Sequence, residues 1–286
     1  MVGGTRVTQS PWRRPPREQF PGVPAWGAPT TRAAPEHFPR DALGPVDADW
    51  AWNGADGSGV RVCVVDTGVE GGHPLVGALE RSVTVEADLS VRDCPPGDSV
   101  GHGTACAGIV RAVAPGASLS SVRVLTDGRT GTGAGLIAGL RWAIEEGFDV
   151  INLSLATTRR EFARELSDLA DLAYFRRSVL VVSAHNMPVV SYPWTFSAVV
   201  SVASHDEHDP SLFYYNPAPP VEFYARGVNV PVAWRGGGTI RTTGNSFAAP
   251  HITGLCARTL SKHRHLTPFQ LKSVLYQVAH NVGDRP

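Results

Sequence analysis

From Val60 onward, short β-branched runs alternate with stretches of helical period, and that alternation leaves few folds open. VRVCVV (60–65), LSSVRVL (119–125), DVINLSL (149–155), SVLVVSA (178–184) and SAVVSVA (197–203) have strand length and apolar residues on both faces. Strands of that kind are buried on both sides, as in a parallel sheet. Between them, residues 103–113, 134–147 and 161–175 have helix-forming composition, with apolar spacings of three and four that include Leu136, Leu140, Ala143 and Ile144. Strand and helix in alternation predict an α/β fold: a doubly wound, mostly parallel sheet with helices on both faces. A further helix is predicted over 247–260, with Ile252, Leu255, Cys256, Thr259 and Leu260 on one face. Pro250 falls in its first turn, where a missing N–H costs little. Thr267 reads as the N-cap of a last helix from Pro268 to about Ala279.

The 286 residues suffice for one large core, and no internal repeat divides them. Nine of the 23 prolines fall in the first 45 positions, where no hydrophobic period fits. Residues 1–42 therefore read as an irregular, Pro-rich N-terminal arm and 43–286 as one domain. The arm is either a plain linker or a segment, around Arg13-Arg14-Pro15-Pro16, that restrains a site in the domain. Lys+Arg and Asp+Glu are each 26, so the chain lacks the basic footprint of a nucleic-acid binder. No apolar run approaches the roughly 18 residues of a membrane span. Met1 to Phe20 has no apolar h-region, so no secretory signal is predicted. Four scattered cysteines make neither a disulfide framework nor a paired-Cys zinc site. Together these features predict a soluble, cytoplasmic protein with no cofactor and no metal, its oligomeric state left open.

In a doubly wound sheet, chemistry collects beyond the carboxyl ends of the strands. Asp66 follows VRVCVV directly, in Asp66-Thr67-Gly68. His102 lies in Gly101-His102-Gly103-Thr104 and Ser246 in Gly244-Asn245-Ser246-Phe247-Ala248-Ala249-Pro250-His251, each where a helix begins. These are the residue types of nucleophilic acyl transfer. A serine hydroxyl attacks only once an imidazole accepts its proton, and the imidazole needs a buried carboxylate to fix its tautomer. The positive end of a helix at the serine favours a developing oxyanion. Competing motifs are weaker. Asp66-Thr67-Gly68 has no second copy to share a proton as an aspartic protease requires. Gly133-Ala134-Gly135-Leu136-Ile137-Ala138 matches a dinucleotide fingerprint, yet its preceding strand ends too early. His205, His208 and Asp209 lack a fourth metal partner. Cys63, Cys106 and Cys256 read as small buried hydrophobes. Cys106 lies four residues after His102 on the same helical face, so modification there would disturb the imidazole.

The order Asp…His…Ser is that of subtilisin. VVDTGVEGGHP, GHGTACAG, DVINLSLA, VVSAHN and GNSFAAPH resemble, in order and spacing, the motif segments of the subtilisin-like serine proteases over roughly residues 45–280. The resemblance implies a catalytic triad of Asp66, His102 and Ser246. It implies an oxyanion hole formed by the Asn186 side chain and the Ser246 N–H. It also implies two edges of a substrate cleft, Thr130-Gly131-Thr132 and Ser154-Leu155-Ala156, between which a peptide lies extended as an added strand. His73 and His251 match family positions that are structural. Ala156 and His185 stand where the family usually has glycine, so the pocket before the scissile bond is narrowed or polarised. Asn245 stands where threonine is common. Phe247 replaces a common methionine after the nucleophile and crowds the leaving-group side. The insertion that carries a calcium site in many secreted relatives is missing after GHGTACAGIVRAVA, so no calcium is expected there. The implied function is a serine endopeptidase acting through an acyl-enzyme, with limited processing of an intracellular protein or precursor peptide. The alternative is an impaired pseudo-enzyme that only binds peptides.

Overall fold

The computed structural model describes residues 46–125 and 131–283. The arm expected over 1–42, and Thr130, lie outside them. The chain opens on α1 (Ala48–Trp52), whose first turn is capped by the Asp47 carboxylate accepting from the Trp50 N–H at 2.8 Å. Next come β1 (Arg61–Asp66), β2 (Gly68–Val69), β3 (Arg81–Val85), β4 (Val91–Asp93), β5 (Gly97–Asp98) and α2 (His102–Val113). The middle of the chain forms β6 (Ser118–Arg123), α3 (Gly133–Glu145), β7 (Val150–Leu153), α4 (Ala163–Phe175) and β8 (Val179–Ser183). It closes with β9 (Val200–His205), β10 (Phe213–Tyr215), β11 (Phe223–Arg226), β12 (Val230–Trp234), β13 (Gly238–Thr242), α5 (Ala249–Lys262) and α6 (Pro268–Val278).

Nine of the strands form one sheet in the order β10-β11-β9-β8-β7-β1-β6-β3-β4. From β11 through β3 every pairing is parallel, and only the edge strands β4 and β10 pair antiparallel. Strand β1 sits inside the sheet, and its side chains alternate between two cores as the pleat requires. Val62 and Val64 join α1, α2, α5 and α6 in one core, while Cys63 and Val65 join α3 and α4 in the other. Helices therefore cover both faces, as the sequence pattern predicts.

The five predicted strands are present within a few residues of their predicted bounds. The run at 197–203 begins its ladder only at Val200, because the Ser197 and Val199 carbonyls accept instead from the Lys272 ammonium, each at 2.9 Å. Strands β3 and β11 were not predicted. They lie toward the sheet's edges and interleave buried with partly exposed residues, so neither shows an unbroken apolar run. Helix α6 starts on a capping box: Thr267 Oγ1 accepts from the Gln270 N–H, and Gln270 Oε1 accepts from the Thr267 N–H.

Candidate active site

Asp66 closes β1, one step beyond the last register pair with β7, Val65 opposite Leu153. It is fully buried, and its Oδ1 accepts from the Thr67 N–H at 2.7 Å. His102 opens α2, and its Nδ1 lies 2.8 Å and 2.9 Å from the two carboxylate oxygens of Asp66. Two glycines allow that approach. Gly103 faces β1 so closely that any β-carbon there would run into the Gly68 carbonyl oxygen and crowd Asp66. Gly101 has φ of 102° and packs under the Trp234 indole, so it needs both left-handed backbone and no side chain. The first N–H groups of a helix lack partners within it. Here Thr67 Oγ1 accepts from the Gly103 N–H at 2.9 Å, and Asp98 accepts from the Thr104 N–H and Oγ1 and from the Val100 and Gly101 N–H groups of the turn before the helix at 2.8–3.0 Å. Asp98 is a site-building residue that the sequence reading missed, and its position four residues before His102 was the available signal.

Ser246 sits in a 3₁₀ turn, Asn245–Phe247, that leads into α5. Its carbonyl accepts from Ser154 Oγ at 2.9 Å and from the Cys106 thiol at 3.5 Å, and its own hydroxyl is 3.4 Å from the Ser154 carbonyl. Below Ser154 the Asn152 amide donates to Ser154 Oγ at 3.1 Å, and Thr253 of α5 donates to Asn152 Oδ1 at 2.9 Å. This buried relay ties the Ser246 turn to β7. Asn245 braces the turn on the other side. Its N–H donates to Asn186 Oδ1 at 2.9 Å, its Oδ1 accepts from the Ser204 N–H at 2.9 Å, and its amide donates to the His185 carbonyl at 3.2 Å. The departure from threonine at Asn245 thus has a structural purpose.

His102 and Ser246 wall one cleft of about 530 Å³, together with Ser154, Leu155, Ala156, His185 and Asn186. Gly131 packs against Leu125, which lines the cleft. Thr132 caps α3, accepting from the Gly135 N–H at 2.9 Å. Trp234, Thr242 and Thr243 also line the cleft and escaped the sequence reading. A larger depression of about 700 Å³ opens where α4, α6 and β11 meet, but its lining holds no histidine.

Among the described residues, the one cluster of three metal-type side chains is Asp66, His102 and Cys106, whose ligand atoms all lie within 4.8 Å of one another. Burial and the Asp66 carboxylate push the Cys106 thiol well up, which opposes the thiolate a metal would need. His205, His208 and Asp209 form no such cluster: His205 Nε2 donates to the Leu212 carbonyl at 2.9 Å, and its Nδ1 accepts from the Glu207 N–H. His73 is structural, with Nδ1 accepting from the Leu75 N–H and Nε2 donating to the Gly238 carbonyl at 2.9 Å. His251 is enclosed in α5 with neither ring nitrogen hydrogen-bonded. Burial, with Arg226 and His205 nearby, pulls it down to about 3, so it stays neutral. The glycines of the fingerprint-like segment serve packing, since Gly133 abuts Phe162 and Gly139 abuts Val124.

The sequence model of the subtilase family matches residues 57–285. Thermitase of Thermoactinomyces vulgaris is 32% identical over 242 residues, covering 80% of this chain and 85% of the relative. Subtilisin DY of Bacillus licheniformis is 30% identical over 246 residues, covering 81% of this chain and 87% of the relative. Among solved structures, a cold-adapted subtilisin-like serine proteinase superposes with a TM-score of 0.65 at 29% identity, over 77% of this chain and 82% of that one. With the family match spanning most of the chain, and the buried Asp66 of β1 behind a His102 that shares one cleft with Ser246, this protein belongs to the subtilase family of serine endopeptidases.

Proposed function

We propose that Ser246 is the nucleophile of this endopeptidase, His102 its general base and then acid, and Asp66 the carboxylate that orients His102. Ser246 Oγ attacks the scissile carbonyl while its proton passes to His102 Nε2. The tetrahedral intermediate then expels the amine, which takes that proton, and leaves an ester on Ser246. Water, deprotonated by His102, hydrolyses the ester and restores the hydroxyl. The observation that carries this reading is the fully buried Asp66 carboxylate with both oxygens within 2.9 Å of His102 Nδ1. A carboxylate there keeps the proton on Nδ1, so Nε2 is the nitrogen whose lone pair takes the serine proton. The sites of Asn186 and of the Ser246 N–H fit an oxyanion hole. Asn186 Oδ1 is occupied by the Asn245 N–H, which leaves the amide nitrogen as the group to offer. The Asn245 carbonyl accepts from Ala248 N–H along the turn, so the Ser246 N–H across the same planar peptide points the opposite way.

Leu155, Ala156 and His185 are read as the wall for the residue before the scissile bond, with the substrate extended along the cleft. A pocket narrowed by Ala156 and His185 supports limited processing over general digestion. Free thiols at Cys63, Cys94, Cys106 and Cys256 support a reducing, cytoplasmic setting and an intracellular protein or precursor peptide as substrate. The test is labelling with a serine-directed phosphonate, followed by mass spectrometry and cleavage profiling of a peptide library. Modification at Ser246 with cleavage of library peptides is the expected result. Peptide binding without labelling or cleavage would overturn this reading in favour of a pseudo-enzyme.

A further inference from the structure

We propose that Trp234, with Phe247, forms the subsite for the residue on the amine side of the scissile bond, and that this subsite selects a bulky apolar or aromatic residue there. The inference rests on the triad reading above, because that chemistry fixes which end of the cleft is which. His102 must protonate the departing amine, so the amine half of the substrate lies on the His102 side of Ser246. The other side is taken by Asn186 and by the Ser154–Ala156 and Ser183–His185 walls. Around the imidazole, Asp66 lies on the buried side. Aromatic rings flank the imidazole toward the cleft. The Phe247 ring is centred 5.4 Å from that of His102, and the Trp234 indole lies over Gly101, the residue before it.

Trp234 is held as a fixed platform. It is the last residue of β12, where Val230, Val232 and Trp234 alternate onto the face that packs on α2 with Ala105, Ile109 and Phe247. The turn that follows is clamped in three places. Arg235 Nη1 donates to the Ser99 carbonyl at 2.9 Å, the Gly236 N–H donates to Glu70 Oε2 at 2.6 Å, and His73 Nε2 donates to the Gly238 carbonyl at 2.9 Å. Only part of the indole is buried against the hairpin's own core, and the rest faces the cleft. A rigid aromatic face of this kind rewards apolar surface brought against it and gives little to glycine or to a charged side chain.

The test reads the acyl-enzyme's choice of nucleophile. A peptide ester loads Ser246, and an added amino-acid amide then competes with water. Its nitrogen bonds to the acyl carbon, the bond to Ser246 Oγ breaks, and the amine proton returns through His102 to that oxygen. Product ratios by chromatography give the preference directly, whatever the turnover rate. Phenylalaninamide and leucinamide should be captured ~10-fold or more over glycinamide, the range expected when one side chain is buried. Trp234→Ala should reduce that ratio to within ~3-fold, and Trp234→Phe should keep most of it. Equal capture of all three amides by the unmodified enzyme, or an undiminished ratio in Trp234→Ala, overturns the inference while leaving the triad reading intact. Failure of the ester to form any acyl-enzyme overturns both.

Discussion

Replacing Lys272 by Met should destabilise the fold, and the structure sets both the size of the loss and its pH dependence. The Lys272 ammonium donates to Glu222 Oε1 at 2.6 Å and to the Ser197 and Val199 carbonyls, each at 2.9 Å. Three acceptors from two segments, the stretch before β9 and the one before β11, thus meet one cation, whose side chain is 19% exposed. Methionine keeps the packing of the stem but leaves a carboxylate and two carbonyls without their donor. Removing one partner of a buried pair costs about 3–5 kcal/mol. With water able to reach the opened site in part, about 2–3 kcal/mol is the reasonable figure here. For a domain of this size that is a fall in Tm of roughly 4–12 °C.

The pH dependence follows from Glu222. Burial already holds its carboxyl above the ordinary 4.5, even though Lys272 opposes the shift. Without Lys272 its folded-state pKa rises further. An acid whose folded pKa is raised contributes stability below its unfolded pKa and loses it as pH rises through the folded value. The Lys272→Met deficit should therefore be largest near pH ~8 and shrink toward pH ~5. Adding Glu222→Gln should recover part of it at the higher pH. Thermal unfolding by circular dichroism, in a Ser246→Ala background to prevent autolysis, measures all three. A deficit below ~0.5 kcal/mol, or one independent of pH, would refute the reasoning.

Three further outcomes concern the cleft. Asp66→Asn places an amide against His102 Nδ1, disfavours the tautomer that accepts from serine, and should lower kcat by about 10⁴ on a peptide substrate; a fall under tenfold would contradict the role given to Asp66. Asn186→Ala should cost kcat ~100- to 1000-fold with little change in KM, the loss that removing such a donor causes in subtilisin, and a change confined to KM would argue for a binding role instead. Cys106, fully buried and with its thiol pushed up, should resist iodoacetamide, yet a small mercurial reaching it beside Asp66 and His102 should abolish activity. Cys106→Ala should then be insensitive, and inhibition that persists in that variant would place the reactive group elsewhere.

The triad candidates were legible in the sequence because each ends or begins a regular element. Asp66 closes an apolar run, and His102 and Ser246 open helices beside glycines. Periodicity reports on neighbours a few residues away, and that suffices for strands such as β1 and β8 in the middle of the sheet. It is silent on partners distant in the chain. The brace from Asn186 to Asn245 spans 59 residues and the Lys272 contact with Ser197 spans 75. Neither leaves a local pattern. Gly131 and Thr132 show the same limit. Their residue types match a cleft edge, and the structure adds what no local pattern shows: Thr132 caps α3, and Gly131 packs against Leu125, which lines the cleft. Trp234 was invisible because an aromatic at the end of a short hairpin strand reads like any other β-sheet tryptophan until the turn is folded back onto Gly101.

The division of labour between sheet and loops explains how the cleft side chains can vary while Asp66 stays against His102. Asp66 is part of β1, His102 is held at the start of α2 by Asp98, and the Ser246 turn is tied through Ser154 and Asn152 to β7. These anchors lie in the layers that also form the core, so displacing any of them costs folding energy as well as activity. Ala156, His185 and Trp234 hang instead from a loop after β7, a loop after β8 and the end of a two-stranded hairpin. Their side chains can change without unpairing a strand of the main sheet. A glycine-to-histidine change beside Asn186 is tolerable because Asn245, rather than residue 185, fixes the Asn186 amide. With the roles proposed above, substitutions at Ala156, His185 or Trp234 should move the relative rates between peptides far more than they move the fold's stability.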